Sequence, residues 1–263
     1  MNRRGIHGIG LVPPVMMGGY PIPYWWGKVP ATSPLSFGKS VSFNGTTSYI
    51  SASKGTMTAA IGSISVWVYS NIAWKSLGAN KTIATFLNNN GFMVFGWHAA
   101  WGLEIQTWTG GYSAIDNPTA ELSSKYGGWP NANTWSHVVF IWNGSVGNPL
   151  NAQVFLDNQQ LTVNTPGNQA CTTIDNLRIG GGDNVGDASW DGYMDEFAMY
   201  SRVLTTTEIH DIYHYAIYPI SGLITRYNFD EASGNALDLS GNGNHGTLSN
   251  VSRSTTVVLN KGY

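Results

Sequence analysis

The sequence predicts an all-β protein: an antiparallel β-sandwich jelly roll, with one short C-terminal helix and an extended N-terminal arm. Three observations lead there. Of its 263 residues, 13% are aromatic, 32 are Gly and only 11% are charged, against about 25% charged in a typical soluble protein. Short alternating apolar runs recur between Asn-Gly and Asp-Asn turn dipeptides, as in strands joined by tight turns. One stretch has clear helical spacing, Thr205 to Tyr215.

Residues 1–34 hold Pro13, Pro14, Pro21, Pro23, Pro30 and Pro34, with Gly pairs and Tyr24-Trp25-Trp26 among them. Proline removes amide donors, so this segment is neither helix nor central strand. It is too apolar for a solvated linker and reads as an arm that buries Tyr24, Trp25 and Trp26 on another surface. Strands follow at Ser40 to Phe43, ending on Asn44-Gly45, and at Thr47 to Ser51. Ile61 to Tyr69 alternates Ile64, Val66 and Val68 with Ser63, Ser65 and Trp67. Further strands are expected at Lys81 to Phe86, Gly91 to Trp97, Leu103 to Trp108 and Trp135 to Trp142. Ala152 to Leu156 turns at Asp157-Asn158 into Leu161 to Val163, and Asn176 to Ile179 and Gly192 to Tyr200 close the series. The helix has Thr205 or Thr206 as cap, Glu208 in its first turn and Leu204, Ile209, Ile212 and Tyr213 on one stripe. Beyond Pro219, strands are expected at Leu223 to Phe229 and, after a Gly/Asn-rich loop, at Val251 and Thr255 to Leu259.

Composition excludes several functions. Thirteen Lys and Arg against 15 Asp and Glu give a net charge of −2, which leaves no basic field for phosphates and argues against nucleic acid. The single Cys171 permits no intrachain disulfide or multi-Cys metal site. No run of 18 apolar residues exists to cross a membrane as a helix. Gly8, Gly10, Pro13 and Pro14 interrupt the apolar stretch after Arg3 and Arg4, so no cleaved signal peptide is expected.

Six motifs then fall in order across residues 35–215. They are Ser42-Phe43-Asn44-Gly45-Thr46-Thr47-Ser48-Tyr49-Ile50; Ile64-Ser65-Val66-Trp67-Val68; Trp135-Ser136-His137-Val138-Val139; Val154-Phe155-Leu156-Asp157-Asn158; Leu177-Arg178-Ile179-Gly180 with Gly192 to Leu204; and Glu208-Ile209 with Tyr213. Together they resemble the laminin-G-like, concanavalin A-like lectin jelly rolls, found in carbohydrate-binding modules and in phage surface proteins. The tail, from Gly222 through Asp230 to Leu248, resembles the segment that normally opens such a domain. The expected organisation is an arm over 1–34, a jelly roll over 35–218, and C-terminal strands over 219–263 that complete the same sandwich or pair with a neighbouring subunit.

Asp195 and Glu196 are adjacent in a strand and so expected on opposite faces, and the spaced carboxylate pair of glycoside hydrolases is absent. The protein is expected not to be an enzyme. His210 and His214, without the HExxH pattern, read as surface or packing residues, and His137 as a hydrogen-bonded structural histidine. Asp238, Ser240, Asn242 and Asn244 place oxygens at alternate positions around Gly243, a pattern compatible with Ca²⁺. The resemblance implies a second calcium candidate at Asp195 and the Asn44-Gly45 turn. Trp97, Trp101, Trp108, Tyr112 and Trp129 are the aromatic candidates for carbohydrate stacking. The function expected first is a virion structural protein, a phage capsid decoration or fibre-type surface protein that binds other virion proteins through its arm and takes glycans on its lectin-like domain. A homo-oligomer is compatible with this. The alternative is a secreted bacterial carbohydrate-binding module or lectin, and a glycoside hydrolase is the least favoured reading.

Overall fold

Residues 16–17, 20–21, 37–88, 91–99, 102–107, 128–144, 151–161, 174–182 and 188–258 are described by the computed structural model. The chain divides into one unit of residues 1–34 with 262–263 and another of residues 35–261. Within the first, β1 (Met16–Met17) and β2 (Tyr20–Pro21) make a minimal antiparallel pair.

The second unit contains β3 (Ser40–Asn44), β4 (Tyr49–Ala52), β5 (Ile61–Ser70), β6 (Lys81–Asn88), β7 (Gly91–His98), β8 (Gly102–Thr107) and β9 (Thr134–Asn143). After these come β10 (Asn151–Leu156), β11 (Gln159–Leu161), β12 (Leu177–Ile179), β13 (Ala188–Ser189) and β14 (Asp191–Tyr200). Helix α1 (Thr206–Tyr215) leads to β15 (Leu223–Tyr227), β16 (Thr247–Ser249) and β17 (Ser252–Ser254). The larger sheet runs β11-β10-β9-β5-β14-β3-β17, with β15 also on β14; the smaller runs β16-β4-β12-β6-β7-β8, with β13 on β6. Among the described residues every pairing is antiparallel except β13 with β6. The two sheets form the concanavalin A-like sandwich.

Alternation assigns the faces. Val41, Ile64, Val66, Val68, Val138, Phe140 and Phe197 of the larger sheet meet Ile50, Ala84, Phe86, Phe95, Leu177 and Ile179 of the smaller in one buried core. Phe43 lies over Gly180, where a Cβ would stand 2.1 Å from the ring. That site admits only glycine, which also tolerates its φ of +72°.

The last three strands are distributed over both sheets. β15 pairs with the second half of β14, β16 with β4, and β17 with β3. Here the strand pattern departs from expectation. β15 stops at Tyr227, because Phe229 turns to a φ of +52°. The final strand is Ser252–Ser254, and residues 255–258 are irregular. β11 begins at Gln159, two residues before the expected Leu161, because Asp157 and Asn158 at φ +48° and +64° close a two-residue turn.

Helix α1 covers the outer face of the larger sheet. Thr205 accepts a hydrogen bond from Glu208 N, and the Glu208 carboxylate accepts one from Thr205 N, a reciprocal cap. Arg202 grips the same carboxylate at 2.7 and 2.8 Å and holds its pKa down at about 2. Ile209 and Ile212 then pack on Val139, Ile141, Phe155, Ala198 and Tyr200. A left-handed Ala216, at φ +53°, ends the helix.

Candidate functional site

The smaller sheet presents its outer face through the residues that alternate with its core positions. Ile50 and Ala52 point inward, so Tyr49 and Ser51 of β4 point outward; Arg178, between Leu177 and Ile179, does the same on β12. Register sets these side by side: Thr247 opposes Ser51, Ser51 opposes Arg178, Arg178 opposes Thr85, and Thr85 opposes Val94. The Arg178 guanidinium lies 4.5 Å over the centroid of the Tyr49 ring and donates to Gly182 O at 3.2 Å. Such stacking orients the planar group and desolvates one of its faces. Thr85 donates to Gly181 O. Exposure is graded along the face: Thr247 is exposed, Tyr49, Ser51 and Arg178 are half-buried, and Thr85, Val94 and Glu104 are buried. An aromatic ring, a guanidinium and hydroxyls on one surface match the chemistry that reads a sugar's C–H face, its acid substituents and its hydroxyl groups.

The residues expected to stack on carbohydrate are placed differently. Trp97 is 4% exposed and wedged edge-on between Trp74, at 5.7 Å, and Trp129, at 4.7 Å. Its position in register with Phe95 and Met93 assigns it to the core. Trp129 is half-buried against that core, stacked on Trp74 at 6.4 Å. Trp101, Trp108 and Tyr112 lie outside the described residues, as do Tyr24, Trp25 and Trp26 of the arm.

The expected metal ligands do not form one cage. Asn44 Oδ1 accepts from the backbone N–H groups of Thr46, Thr47 and Ser48, so it caps its own turn. Asp191, not Asp195, stands opposite Asn44. Asp195 lies four residues further along β14, about 13 Å away at the rise of a strand. Asp238 accepts at Oδ1 from Arg226 N and Ser240 N, and at Oδ2 from Ser240 Oγ and Asn244 N. Burial pushes its pKa up, but these hydrogen bonds outweigh burial and hold it below the usual carboxylate range. Asn242 and Asn244 turn their amides to Ile224 O. Donor N–H groups thus point at the oxygens a hard cation would need, and among the described residues no three His, Cys, Asp or Glu converge.

Asp195 and Glu196 are not on opposite faces. Between Asp195, opposite Trp67, and Ala198, opposite Ser65, two residues face Val66 alone. This bulge, with Glu196 at φ +49°, turns both carboxyl groups to the outer side of the larger sheet. Glu196 pairs with Arg226 at 2.8 Å, and Arg226 lies 4.0 Å over the Tyr218 ring. Burial first, then the neighbouring Glu196 charge, pushes Asp195 up to about 9, so it is protonated at neutral pH. Nearby, His137 Nε2 meets Ser65 Oγ at 2.8 Å, and burial lowers its pKa to about 3. His210 and His214 lie along α1 with rings 4.3 Å apart.

Sequence and structure comparisons agree with this architecture. Residues 44–210 match the concanavalin A-like lectin/glucanases superfamily. No curated protein matches the sequence. Among solved structures, a candidate carbohydrate-binding protein from Bacteroides ovatus is similar at TM-score 0.57 and 16% identity; the match covers 84% of this chain but 61% of that one. A heptameric SAP-like pentraxin from Limulus polyphemus is similar at TM-score 0.48 and 13% identity, over 83% and 95% of the two chains. Domain 4 of the arabinanase AbnA from Geobacillus stearothermophilus, solved with arabinotriose, gives TM-score 0.48 and 15% identity over 66% and 76%. The matched segment spans more than half of the sequence and holds most strands of both sheets: the chain belongs to the concanavalin A-like lectin/glucanases superfamily.

Proposed function

We propose that this protein binds glycans without cleaving them, on the outer face of the smaller sheet, with Tyr49 and Arg178 as anchors. The observation that carries the reading is the Arg178 guanidinium stacked over the Tyr49 ring beside the outward Ser51 and Thr247. A guanidinium favours carboxylate partners, so acidic sugars are the preferred ligands. Absence of cleavage is supported by the carboxylates. Glycoside hydrolysis by the usual route needs two facing the bond, whereas Asp195 and Glu196 are buried beneath the opposite face.

Titrating hexagalacturonate into the full chain tests this. Arg178→Ala and Tyr49→Ala should each weaken binding tenfold or more while melting stays within a few degrees. No new reducing ends should appear. Binding that ignores both substitutions sinks the proposal. The virion-surface setting is supported by the aromatic, Pro/Gly-rich composition of residues 1–34, the low charge and the all-β sandwich. In that setting deletion of the arm abolishes incorporation into particles and leaves the sandwich folded. A secreted module would instead lose its N-terminus on maturation.

A further inference from the structure

The larger sheet carries a row of aromatic side chains on the side away from the smaller sheet. Tyr193 of β14, Tyr69 of β5 and Trp135 of β9 stand directly opposite one another in register. All three are half-buried. The Tyr69 ring meets Tyr193 at 5.2 Å and 69°, and Trp135 at 5.4 Å and 60°. Register continues the row through Ser42 of β3, which is also half-buried. One step towards the strand ends, alternation places Asp191 on the same face as Tyr193, and Tyr69 donates its hydroxyl to the exposed Asn133 Oδ1 at 3.1 Å.

This row differs from an ordinary solvated sheet face in three ways. Its aromatics are contiguous across three central strands, about 10 Å at normal strand spacing. The aromatic row contains no charged residue. Its border supplies a carboxamide and a carboxylate, groups that accept and donate to hydroxyls. We infer that the Tyr193–Tyr69–Trp135 row is a second glycan-binding platform, specific for neutral sugar chains. The apolar floor suits sugar C–H faces, and Asp191 accepts hydroxyl hydrogens while repelling acidic sugars. That charge preference is opposite to the one Arg178 gives the other face, so the two sites are separable.

The experiment titrates cellohexaose, mannohexaose and xylohexaose into the full chain by calorimetry. At least one is expected to bind saturably, tenfold or more weaker in Tyr193→Ser and several-fold weaker in Asp191→Asn, with Tyr49→Ala and Arg178→Ala unchanged. Trp135 also packs against the Phe37, Trp67 and Val258 cluster, so the rim variant Asp191→Asn provides a test with little risk to folding, and thermal melts check both variants. No binding of any of the three, or binding indifferent to Tyr193 and Asp191, overturns the platform. Binding lost in Tyr49→Ala instead assigns the neutral sugar to the smaller sheet and also overturns it. Failure of hexagalacturonate binding bears only on the smaller sheet.

Discussion

The outer faces of the two sheets solve the same problem in opposite ways. Beneath α1 and the segment after it, the larger sheet buries Ser65, His137, Asp195 and Glu196. Polar groups there must find partners within the protein, because an unmatched buried charge is costly. Glu196 is paired with Arg226, Asp195 is protonated, and His137 is neutral and bonded to Ser65. On the smaller sheet Tyr49, Ser51 and Arg178 keep part of their surface open. The lesson is that a polar residue in this sandwich is matched within the protein where it is covered and stays available to solvent where it is not.

The sharpest way to break that contrast is at Arg226. Arg226→Met should destabilise the fold by about 3–5 kcal/mol, because it strands the Glu196 charge; urea unfolding measures this, and hexagalacturonate binding should persist. Next, Ile212→Ala removes a fully buried helix anchor and should cost about 2–5 kcal/mol, again without touching the open face.

Asp195→Asn should act through pH. The folded pKa of Asp195 is raised from 3.8 to about 9, so the native state binds this proton more tightly than the unfolded chain does. The stability it supplies is full below pH 3.8 and is lost progressively as pH rises towards about 9. Asn keeps the acceptor for Glu196 N and removes the titration. Melting curves should therefore show the variant gaining on the parent as pH rises from 4 to 9, by the range those pKa values set. Tyr49→Ala should change stability by less than about 1 kcal/mol and appear only in binding. Smallest of all, a chelator should shift melting by less than about 1 °C, since the Asp238 carboxylate already has hydrogen-bond partners within its own loop and on β15; a larger shift would reveal a bound cation through linkage.

Much of the sandwich could be read from residue order. The long central strands showed themselves through alternation: Ile64, Val66 and Val68 in β5, and Val138, Phe140 and Trp142 in β9. Trp97 was legible as core too, since it continues the Met93, Phe95 alternation, but a count of aromatics masked that. Other features had no local signal. Ser252–Ser254 is a Ser-Arg-Ser strand whose partner β3 supplies what propensity lacks. The bulge at Glu196 exists only as a mismatch of register with β5, so one strand read alone puts its carboxyl on the wrong face. Tyr49 and Arg178 are ordinary residues until β4 and β12 pair, so no local signal in either strand brings them together.

The pairing of β3 with β17 and of β4 with β16 has a consequence for biogenesis. Strands β3 and β4 wait for partners translated after β15. Until residue 254 emerges, β3 and β4 each lack one neighbour and expose backbone hydrogen-bonding groups that another nascent chain can satisfy. Completion of this sandwich therefore waits on the synthesis of β16 and β17. Slowing synthesis just before β16 should raise misassembly more than the same delay placed between β5 and β9.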